Sequence, residues 1–204
     1  MLTLILVRHA TTEANEQKTF SGFNETQISQ KGKKEITALT RILEDYAIDA
    51  IYASPSVRAT QTVEAIANKK NKTIQIAESL KEIYFGDFEG MSFQMINEQY
   101  PSEITKMIAL GDNYIYPNGE SLIQSYTRVA QKIDEIKRKH HQQTVLIAAH
   151  AGTIRNILSH LLSNGPSLHW NFKIDNASRT IVTIENDFAV IERLNDTYFI
   201  ENMI

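Results

Sequence analysis

Short apolar runs alternate with segments of helical period along this chain, and no other feature restricts its fold as much. Residues 2–7 and 144–149 are continuous enough in apolar side chains to be strands covered on both faces. Shorter strands are expected at residues 50–53 and 74–77, with amphipathic helices between them. This alternation predicts an α/β fold of three layers, α/β/α, in which an open and mostly parallel sheet is flanked by helices.

Capping signals and breaks set the limits of the other elements. A helix is expected to begin near Ser29, and Ser54-Pro55 is a second start signal because proline fits the first helical turn. Ser121 with Gln124 three residues later forms a capping-box pattern. Helices are also expected at residues 92–110, with a break at Pro101, and at 152–162, and strands at 179–185 and 188–194.

Composition narrows the class of protein further. The 204 residues are 42% hydrophobic and contain no internal repeat or linker, which favours one domain over residues 1–204. Lys plus Arg number 21 against 24 Asp plus Glu, and this net charge of −3 argues against nucleic acid or an anionic membrane as a partner. The lack of cysteine removes thiolate chemistry and Cys-type metal sites. With no targeting or membrane-spanning run, a cytoplasmic protein is expected.

Cationic side chains follow three of the predicted strands. Arg8 and His9 come directly after the first of them, and His150 follows a later one. Arg58 lies one turn into the helix after residues 50–53. If these strands are parallel, their carboxyl ends bring the four side chains to one edge of the sheet. Their mutual repulsion would be offset by a bound anion, and the guanidinium fork suits a phosphate.

Several motifs stand in order along the chain. They occupy residues 6–12 with Asn15, residues 21–22, residues 28–32, residues 54–62, residues 80–90, residues 118–121 and residues 150–155. In content and order they resemble the motifs of the histidine phosphatase superfamily, the phosphoglycerate mutase-like proteins. The chain resembles the phosphatase branch of that family, and the likeness spans roughly residues 2–155.

The resemblance implies a mechanism and a role for individual residues. His9 would attack phosphorus and form a phosphohistidine. The phosphoryl oxygens would be held by Arg8, Arg58 and His150, and Glu82 would protonate the leaving oxygen and then activate water. The substrate would be a small phosphomonoester, with no cofactor and no metal. Further contacts to phosphate or substrate are expected from Asn15, Ser21, Gly22 and Ala151.

Three positions depart from the usual pattern of the family. Ala10 and Ala151 stand where glycine usually follows each histidine. Because alanine adds a methyl group and disfavours positive φ, a slightly tighter pocket is expected. Thr11 stands where many members have an acidic residue. None of these changes removes a charged group from the predicted site.

The residues leave alternatives open for the acid and for the reaction. Glu89 and Glu13 compete with Glu82 for the role of the acid. A phosphoglycerate mutase shares the first half-reaction and is the alternative to a phosphatase, but the stretch between Gly90 and Asn118 is short and lacks a paired-arginine motif. A third hypothesis is a catalytically silent protein that binds phosphorylated ligands. Such a protein would be expected to have lost one of the central charged or histidine residues, and all of them are present.

Other aromatic and histidine residues have less specific interpretations. Trp170 and Phe172 are expected to pack, and His140 with His141 is expected to form a cationic helix end. The oligomeric state is left open, with a homodimer as one outcome. Five aromatic residues form either a rim around the substrate or ordinary loop packing: Tyr84, Phe85, Phe88, Tyr114 and Tyr116.

Overall fold

The structure, a computed structural model, describes residues 1–201 and contains a six-stranded sheet. The strands are β1 (Leu2–Arg8), β2 (Ala50–Ala53), β3 (Ile74–Ile76), β4 (Thr144–Ala149), β5 (Arg179–Glu185) and β6 (Phe188–Asp196). The helices are α1 (Glu13–Gln17), α2 (Gln30–Leu43), α3 (Val57–Lys69), α4 (Phe93–Gln99), α5 (Pro101–Leu110), α6 (Leu122–Lys139), α7 (Ala151–Ser163) and α8 (Tyr198–Glu201). Among residues 1–201, no helix combines the length and hydropathy needed to span a membrane. Residues 202–204, the end of the expected domain, lie outside the described residues.

The order of strands in the sheet is β3-β2-β4-β1-β5-β6. β1 pairs parallel with β4, β4 with β2, and β2 with β3. β5 pairs antiparallel with β1, and β6 antiparallel with β5. The predicted three-layer α/β/α class is confirmed. Its parallel part places the carboxyl ends of β1, β2 and β4 side by side, as the predicted cationic cluster requires.

Two hydrophobic clusters hold the three layers together. Leu6 of β1 belongs to one cluster with Ile133 of α6 and Ile157 of α7. The next residue, Val7, belongs to the other cluster with Leu39 of α2. Because successive side chains of a strand point to opposite faces, the continuous apolar pattern of β1 reflects burial on both faces of the sheet.

Helix starts agree with the capping signals at two of the three expected positions. Ser29 caps α2, and Ser121 forms the expected capping box at the start of α6. The third expectation is wrong, since α3 begins at Val57 and leaves Pro55 outside the helix. Ser56 is the N-cap residue, and its extended backbone (φ −60°, ψ 139°) continues the chain away from β2 before the helix begins.

The expected break at Pro101 is confirmed, and several other limits shift by a few residues. α4 ends at Gln99, and Tyr100 has a non-helical conformation (φ −132°, ψ 52°), because proline disfavours the helical region for the residue before it. β3 is one residue shorter than expected, whereas β6 continues to Asp196. The short helix α1 has five residues, too few for the periodic pattern that reveals longer helices.

Candidate active site

His9 follows β1 and lies at the carboxyl end of the parallel strands. Its side chain is buried, and its backbone N–H donates to the Ala149 carbonyl of β4 at 2.9 Å. The ring atom Nδ1 lies 2.8 Å from the Ala10 carbonyl oxygen. A carbonyl oxygen can only accept, so Nδ1 carries the proton and the lone pair of the neutral ring is on Nε2.

His150 follows β4 and is the N-cap residue of α7. Its side chain is buried, and its Nε2 lies 2.8 Å from Ser54 Oγ and 3.4 Å from Ser56 Oγ. The rings of His150 and His9 meet edge to face, with centroids 5.2 Å apart. The parallel pairing of β1 with β4 therefore brings the two predicted histidines into contact.

Arg8 and Arg58 complete the cluster that the sequence predicts. Arg58 is fully buried, and its terminal nitrogens donate to the carbonyls of Asn24 (2.8 Å) and Gly22 (2.6 Å). Arg8 Nη1 donates to the Ile174 carbonyl at 2.7 Å. Each guanidinium is thus fixed by backbone oxygens and forms no salt bridge within residues 1–201.

Burial and positive charge together keep both histidines neutral. Burial is the main cause that lowers the pKa of His9 well below 6.5, and Arg8 and then Arg58 lower it further. Burial also dominates at His150, where Arg58 and His9 contribute next to a pKa well below 6.5. A neutral imidazole retains a lone pair on one ring nitrogen, which is the form that a nucleophile requires.

Three buried side-chain nitrogens of this cluster have no hydrogen-bond partner among residues 1–201. They are Arg8 Nε, Arg58 Nε and His150 Nδ1. A buried polar group without a partner costs about 1–3 kcal/mol, and more when it is charged. An anion that accepts from the two guanidinium Nε–H groups would offset that cost, so the cluster has the chemistry of an anion site.

Glu82 lies in the loop after β3 and is buried, with its carboxylate at the start of α7. Oε2 accepts from the Gly152 backbone N–H at 3.0 Å, and Oε1 accepts from the Ile83 N–H at 2.9 Å. A Cβ atom at Gly152 would lie 2.4 Å from Oε1, so only glycine allows this approach. Arg128 of α6 fixes the same loop by donating to the Glu82 carbonyl at 2.8 Å.

The two carboxylates that competed with Glu82 in the sequence have other surroundings. Glu89 accepts from the backbone N–H groups of Gly22, Phe23 and Asn24, and also from that of Phe85. Its carboxylate therefore holds the segment at residues 20–24, whose carbonyls bind Arg58. Glu13 begins α1 and is exposed.

Several hydrogen-bonding groups of the remaining predicted contact residues are already paired within the protein. Asn15 Oδ1 accepts from the Thr12 N–H and from Asn176 Nδ2. The Ser21 hydroxyl donates to Asn24 Oδ1, and the Gly22 N–H donates to Glu89. Ala151 is the first residue of α7, next to the Glu82 carboxylate site. Their contacts with a substrate stay a prediction.

A cavity of about 480 Å³ is lined by Glu82, and neither His9 nor His150 is part of its wall. Its walls are mostly apolar and aromatic, and Arg155 and His169 are the basic residues that line it. Burial and then Arg155 lower the pKa of His169 to about 4, so at neutral pH only Arg155 is cationic. The aromatic residues in its wall are Phe20, Phe85, Phe93, Tyr114, Tyr116 and Trp170.

The five aromatic residues of the two loops neither all form a rim nor all pack within the protein. Phe85, Tyr114 and Tyr116 line the cavity, whereas Phe88 is fully buried and Tyr84 stacks on Phe23 with ring centroids 4.6 Å apart. The expectation that Trp170 packs is wrong: the residue is 69% exposed at the cavity, in the short 3₁₀ helix His169–Asn171. Phe172 is buried in the core as expected.

Two further expectations are corrected by burial and backbone conformation. Only His141 of the histidine pair is exposed; His140 is buried and lies 2.9 Å from the Tyr52 hydroxyl, so it belongs to the interior. Ala10 and Ala151 are absent from the positive-φ positions found within residues 1–201, so the φ penalty of alanine does not apply at either position. The Thr11 hydroxyl donates to the buried Glu35 at 2.8 Å, which anchors α2 beside the site.

Some residues that shape the site carried no role in the sequence interpretation. Ser54 and Ser56 hold His150, and Arg128 holds the Glu82 loop. Arg155 lies four residues after Ala151 on α7, and that spacing places it on the same helix face. Trp170 belongs to no periodic pattern. The only feature of the sequence that marks it is that it is the single tryptophan of the chain.

The fold has three layers, α/β/α, with buried histidines and arginines at the ends of its parallel strands. This combination defines a class of proteins that act on phosphate groups through histidine. The chain belongs to the histidine phosphatase superfamily (branch 1), whose sequence pattern matches residues 4–197. It is 33% identical to phosphoserine phosphatase 1 of Hydrogenobacter thermophilus, over 97% of this chain and 93% of that protein.

Two other relatives differ in reaction. The chain is 31% identical to the 2,3-bisphosphoglycerate-dependent phosphoglycerate mutase of Cytophaga hutchinsonii, over 81% of this chain and 80% of that protein. In structure it is similar to the alpha-ribazole phosphatase of Shigella flexneri, with a TM-score of 0.89, 25% identity and coverage of 95% and 96% of the two chains. The relatives therefore include phosphatases with more than one substrate as well as a mutase.

Proposed function

We propose that this chain is a phosphomonoester hydrolase that acts through a phosphohistidine on a small phosphorylated metabolite. In the first step His9 Nε2 attacks phosphorus, the bond between phosphorus and the leaving oxygen breaks, and Glu82 gives that oxygen its proton. In the second step the Glu82 carboxylate takes a proton from water. The water oxygen bonds to phosphorus, the N–P bond breaks, and inorganic phosphate leaves.

The observation that carries this proposal is the pair of unpaired buried guanidinium donors beside His9. Arg8 Nε and Arg58 Nε lack acceptors among the described residues, and His150 Nδ1 also lacks a hydrogen-bond partner there. The oxygens of a phosphoryl group would supply acceptors, and the two guanidinium charges would stabilise the negative charge spread over those oxygens in the transition state. The Nδ1 bond to Ala10 leaves the nucleophilic nitrogen of His9 with its lone pair.

The place of Glu82 supports its role as the acid. Its carboxylate is held by the N–H groups of Ile83 and Gly152 and lines the cavity that would receive the leaving group. Glu89 already accepts from several backbone N–H groups, and Glu13 is exposed on α1. Among these three carboxylates, Glu82 is therefore the one that we propose as the proton donor.

The mutase relative makes the fate of the phosphoryl group the decisive question. A mutase returns the group to a second hydroxyl, whereas a hydrolase passes it to water. The helices α4 and α5 and one 3₁₀ turn at Gly111–Asn113 are the helices that lie between Gly90 and Asn118 within the described chain. This short segment adds no arginine to the site, which favours release to water.

The test combines trapping of the intermediate with product analysis. Alkaline quenching after mixing with ³²P-labelled phosphomonoester should trap label on the parent protein, and peptide mapping should place it on His9. His9→Ala should lose the label and turnover, whereas His141→Ala, which changes an exposed histidine outside the site, should retain both. Label on another residue, or conversion of 3-phosphoglycerate to 2-phosphoglycerate without release of phosphate, would contradict the proposal.

A further inference from the structure

We propose that Glu35 is a positioning residue that strengthens His9 as a nucleophile through a single peptide group. This inference rests on the proposed function, in which His9 attacks phosphorus, and adds a residue to it. Glu35 belongs to α2 and is not part of the histidine–arginine cluster. Its side chain is buried, and no step of the proposed reaction uses its carboxylate.

The peptide group between Ala10 and Thr11 joins the two side chains. Its carbonyl oxygen accepts from His9 Nδ1 at 2.8 Å. Its N–H donates to Glu35 Oε2 at 2.7 Å. Because the C=O and N–H of a trans peptide point in opposite directions, His9 and Glu35 lie on opposite sides of one planar group. An unbroken chain of hydrogen bonds therefore runs from the carboxylate to the imidazole ring.

The Glu35 carboxylate is held at both of its oxygens. Oε1 accepts from the Thr11 hydroxyl at 2.8 Å, in addition to the bond from the Thr11 N–H to Oε2. Two accepting oxygens are the pattern of the carboxylate rather than of the neutral acid. The first turn of α2 packs closely on the same segment, since a Cβ atom at Gly32 would overlap the Thr11 carbonyl. Lys31, the cation 3.8 Å from Oε1, is exposed to solvent.

The negative charge of Glu35 strengthens the hydrogen bond at His9 through the amide. A bond to a charged acceptor is stronger than one between neutral groups, and the bonds of a chain polarise one another. An amide N–H that donates to a carboxylate leaves more negative charge on the carbonyl oxygen, so Ala10 becomes a better acceptor for His9 Nδ1–H. Burial, Arg8 and Arg58 lower the pKa of His9. The bond to the Ala10 carbonyl acts in the opposite direction and raises that pKa.

The contribution of Glu35 should be largest while the ring carries positive charge. When His9 Nε2 bonds to phosphorus, the proton stays on Nδ1 and the imidazole becomes cationic beside Arg8 and Arg58. The bond from Nδ1–H to the Ala10 carbonyl then becomes stronger, and no proton moves to Glu35. An interaction that is stronger in the transition state than in the ground state lowers the barrier. Glu35 would thus favour formation of the phosphohistidine without touching the substrate.

The test removes the charge of Glu35 and keeps the shape of the side chain. In Glu35→Gln, the single-turnover release of nitrophenolate from p-nitrophenyl phosphate should slow about 10–100-fold, as for the outer partners of metal-binding histidines. This release measures the phosphorylation of His9. Competitive inhibition by inorganic phosphate should not weaken, because the guanidinium groups that would bind it are unchanged. Glu64→Gln, at an exposed glutamate of α3, should leave both values at those of the parent protein.

A second measurement reports the hydrogen bond itself in the absence of substrate. The proton NMR signal of His9 Nδ1–H, assigned by its loss in His9→Ala, should move upfield in Glu35→Gln because its acceptor is weaker. Thr11→Val removes the hydroxyl bond to Oε1 and keeps the N–H bond to Oε2. This variant should lower Tm, with a smaller effect on the proton signal and on the phosphorylation rate. Equal effects of Thr11→Val and Glu35→Gln would make Glu35 a structural anchor and overturn the inference.

The two measurements separate this inference from the proposed function. An unchanged Nδ1–H signal in Glu35→Gln, or a shifted signal with an unchanged phosphorylation rate, would overturn the inference. No hydrolysis of any ester by the parent protein would instead contradict the proposed hydrolase. If Glu35→Gln does not fold, vanadate is added to the parent protein, where it would bond to His9 as an analogue of the transition state. The signals of His9 Nδ1–H and the Thr11 N–H should then both move downfield, and a Thr11 signal that stays in place would overturn the inference.

Discussion

The carboxylate of Glu82 accepts a hydrogen bond at 3.0 Å from the backbone N–H of Gly152, the second residue of α7. This bond joins the loop after β3 to the helix that begins directly after His150. Glu82 and His150, which we propose as the acid and as a phosphate ligand, are therefore held by one short piece of backbone. The bond requires glycine, because a Cβ atom at position 152 would lie 2.4 Å from Glu82 Oε1.

Gly152→Ala should lower activity without a comparable loss of stability. The new methyl group meets the end of a flexible side chain, so the Glu82 carboxylate moves and the backbone does not have to shift. Alanine also has a higher helix propensity than glycine. We expect kcat for alkyl phosphates to fall at least about 10-fold, as for a displaced acid, while thermal unfolding changes little. A large loss of Tm with unchanged kcat would contradict this explanation.

Glu82→Gln should show a clear dependence on the leaving group. Loss of the proton donor should slow alkyl phosphates about 10²–10⁴-fold. p-Nitrophenyl phosphate should be affected far less, because its phenolate departs without a proton. The slope of log kcat against leaving-group pKa measures the effect, and Glu13→Gln at the exposed start of α1 is the matched control. An equal reduction for both classes would place the acid elsewhere.

Glu89→Gln should behave differently from Glu82→Gln. The Glu89 carboxylate accepts from the N–H groups of Gly22, Phe23 and Asn24, whose neighbouring carbonyls hold Arg58. Its neutral replacement should loosen that segment, and hydrogen bonds to charged groups contribute about 1.5–3 kcal/mol. We expect a lower Tm and a higher KM, with the same factor for good and poor leaving groups. Steady-state kinetics on alkyl and aryl phosphates distinguish this from the loss of an acid.

The contrast between Glu82 and Glu89 shows which parts of the site can be predicted from the sequence and which cannot. His9 and His150 could be placed together from sequence because buried strands of a parallel sheet end at one edge, and the pairing of β1 with β4 has that effect. The two glutamates lie in one irregular loop, where no periodicity indicates direction. Their roles depend on contacts made across the fold, such as the bond from Arg128 to the Glu82 carbonyl.

The cavity wall illustrates the same limit. Arg155 could have been located from the sequence, since its helical spacing from Ala151 fixes its face on α7. Trp170 could not, because it lies in a single 3₁₀ turn (His169–Asn171) between α7 and β5, which is too short to show a periodic pattern. Its indole N–H binds Asp112, which is far away in sequence. Local patterns carry no information about such a pair.

Stability should fall as the pH drops below about 6.5. The folded state lowers the pKa of His9 and His150 well below 6.5 and that of His169 to about 4, in each case mainly through burial. Between the folded and unfolded pKa values the unfolded chain binds more protons, so the free energy of unfolding decreases with decreasing pH. Calorimetry from pH 7.5 to 4.5 should show this fall in Tm. A Tm that rises over this window would contradict the lowered pKa values.

His169→Gln should separate one contribution to this pH dependence from the others. Its Nδ1 lies 2.7 Å from Asn156 Oδ1, an acceptor that a glutamine N–H can also reach. The variant should lose the part of the fall in Tm that lies between about pH 6.5 and 4, because glutamine does not titrate. His141→Gln, at an exposed position, should keep the slope of the parent protein. Parallel slopes in all three proteins would assign the pH dependence to other groups.

Inorganic phosphate should raise Tm through the histidine–arginine cluster. Phosphate that binds only the folded state adds about 2.7 kcal/mol at 100 times Kd, which corresponds to roughly 5–10 °C for a chain of this size. Arg8→Met should weaken the response, because the unpaired Arg8 Nε and the guanidinium charge are both removed. Arg41→Met should respond like the parent protein, since Arg41 is exposed on α2. The comparison is made against sodium chloride at equal ionic strength, and an equal shift in the parent and in Arg8→Met would show that phosphate binds elsewhere.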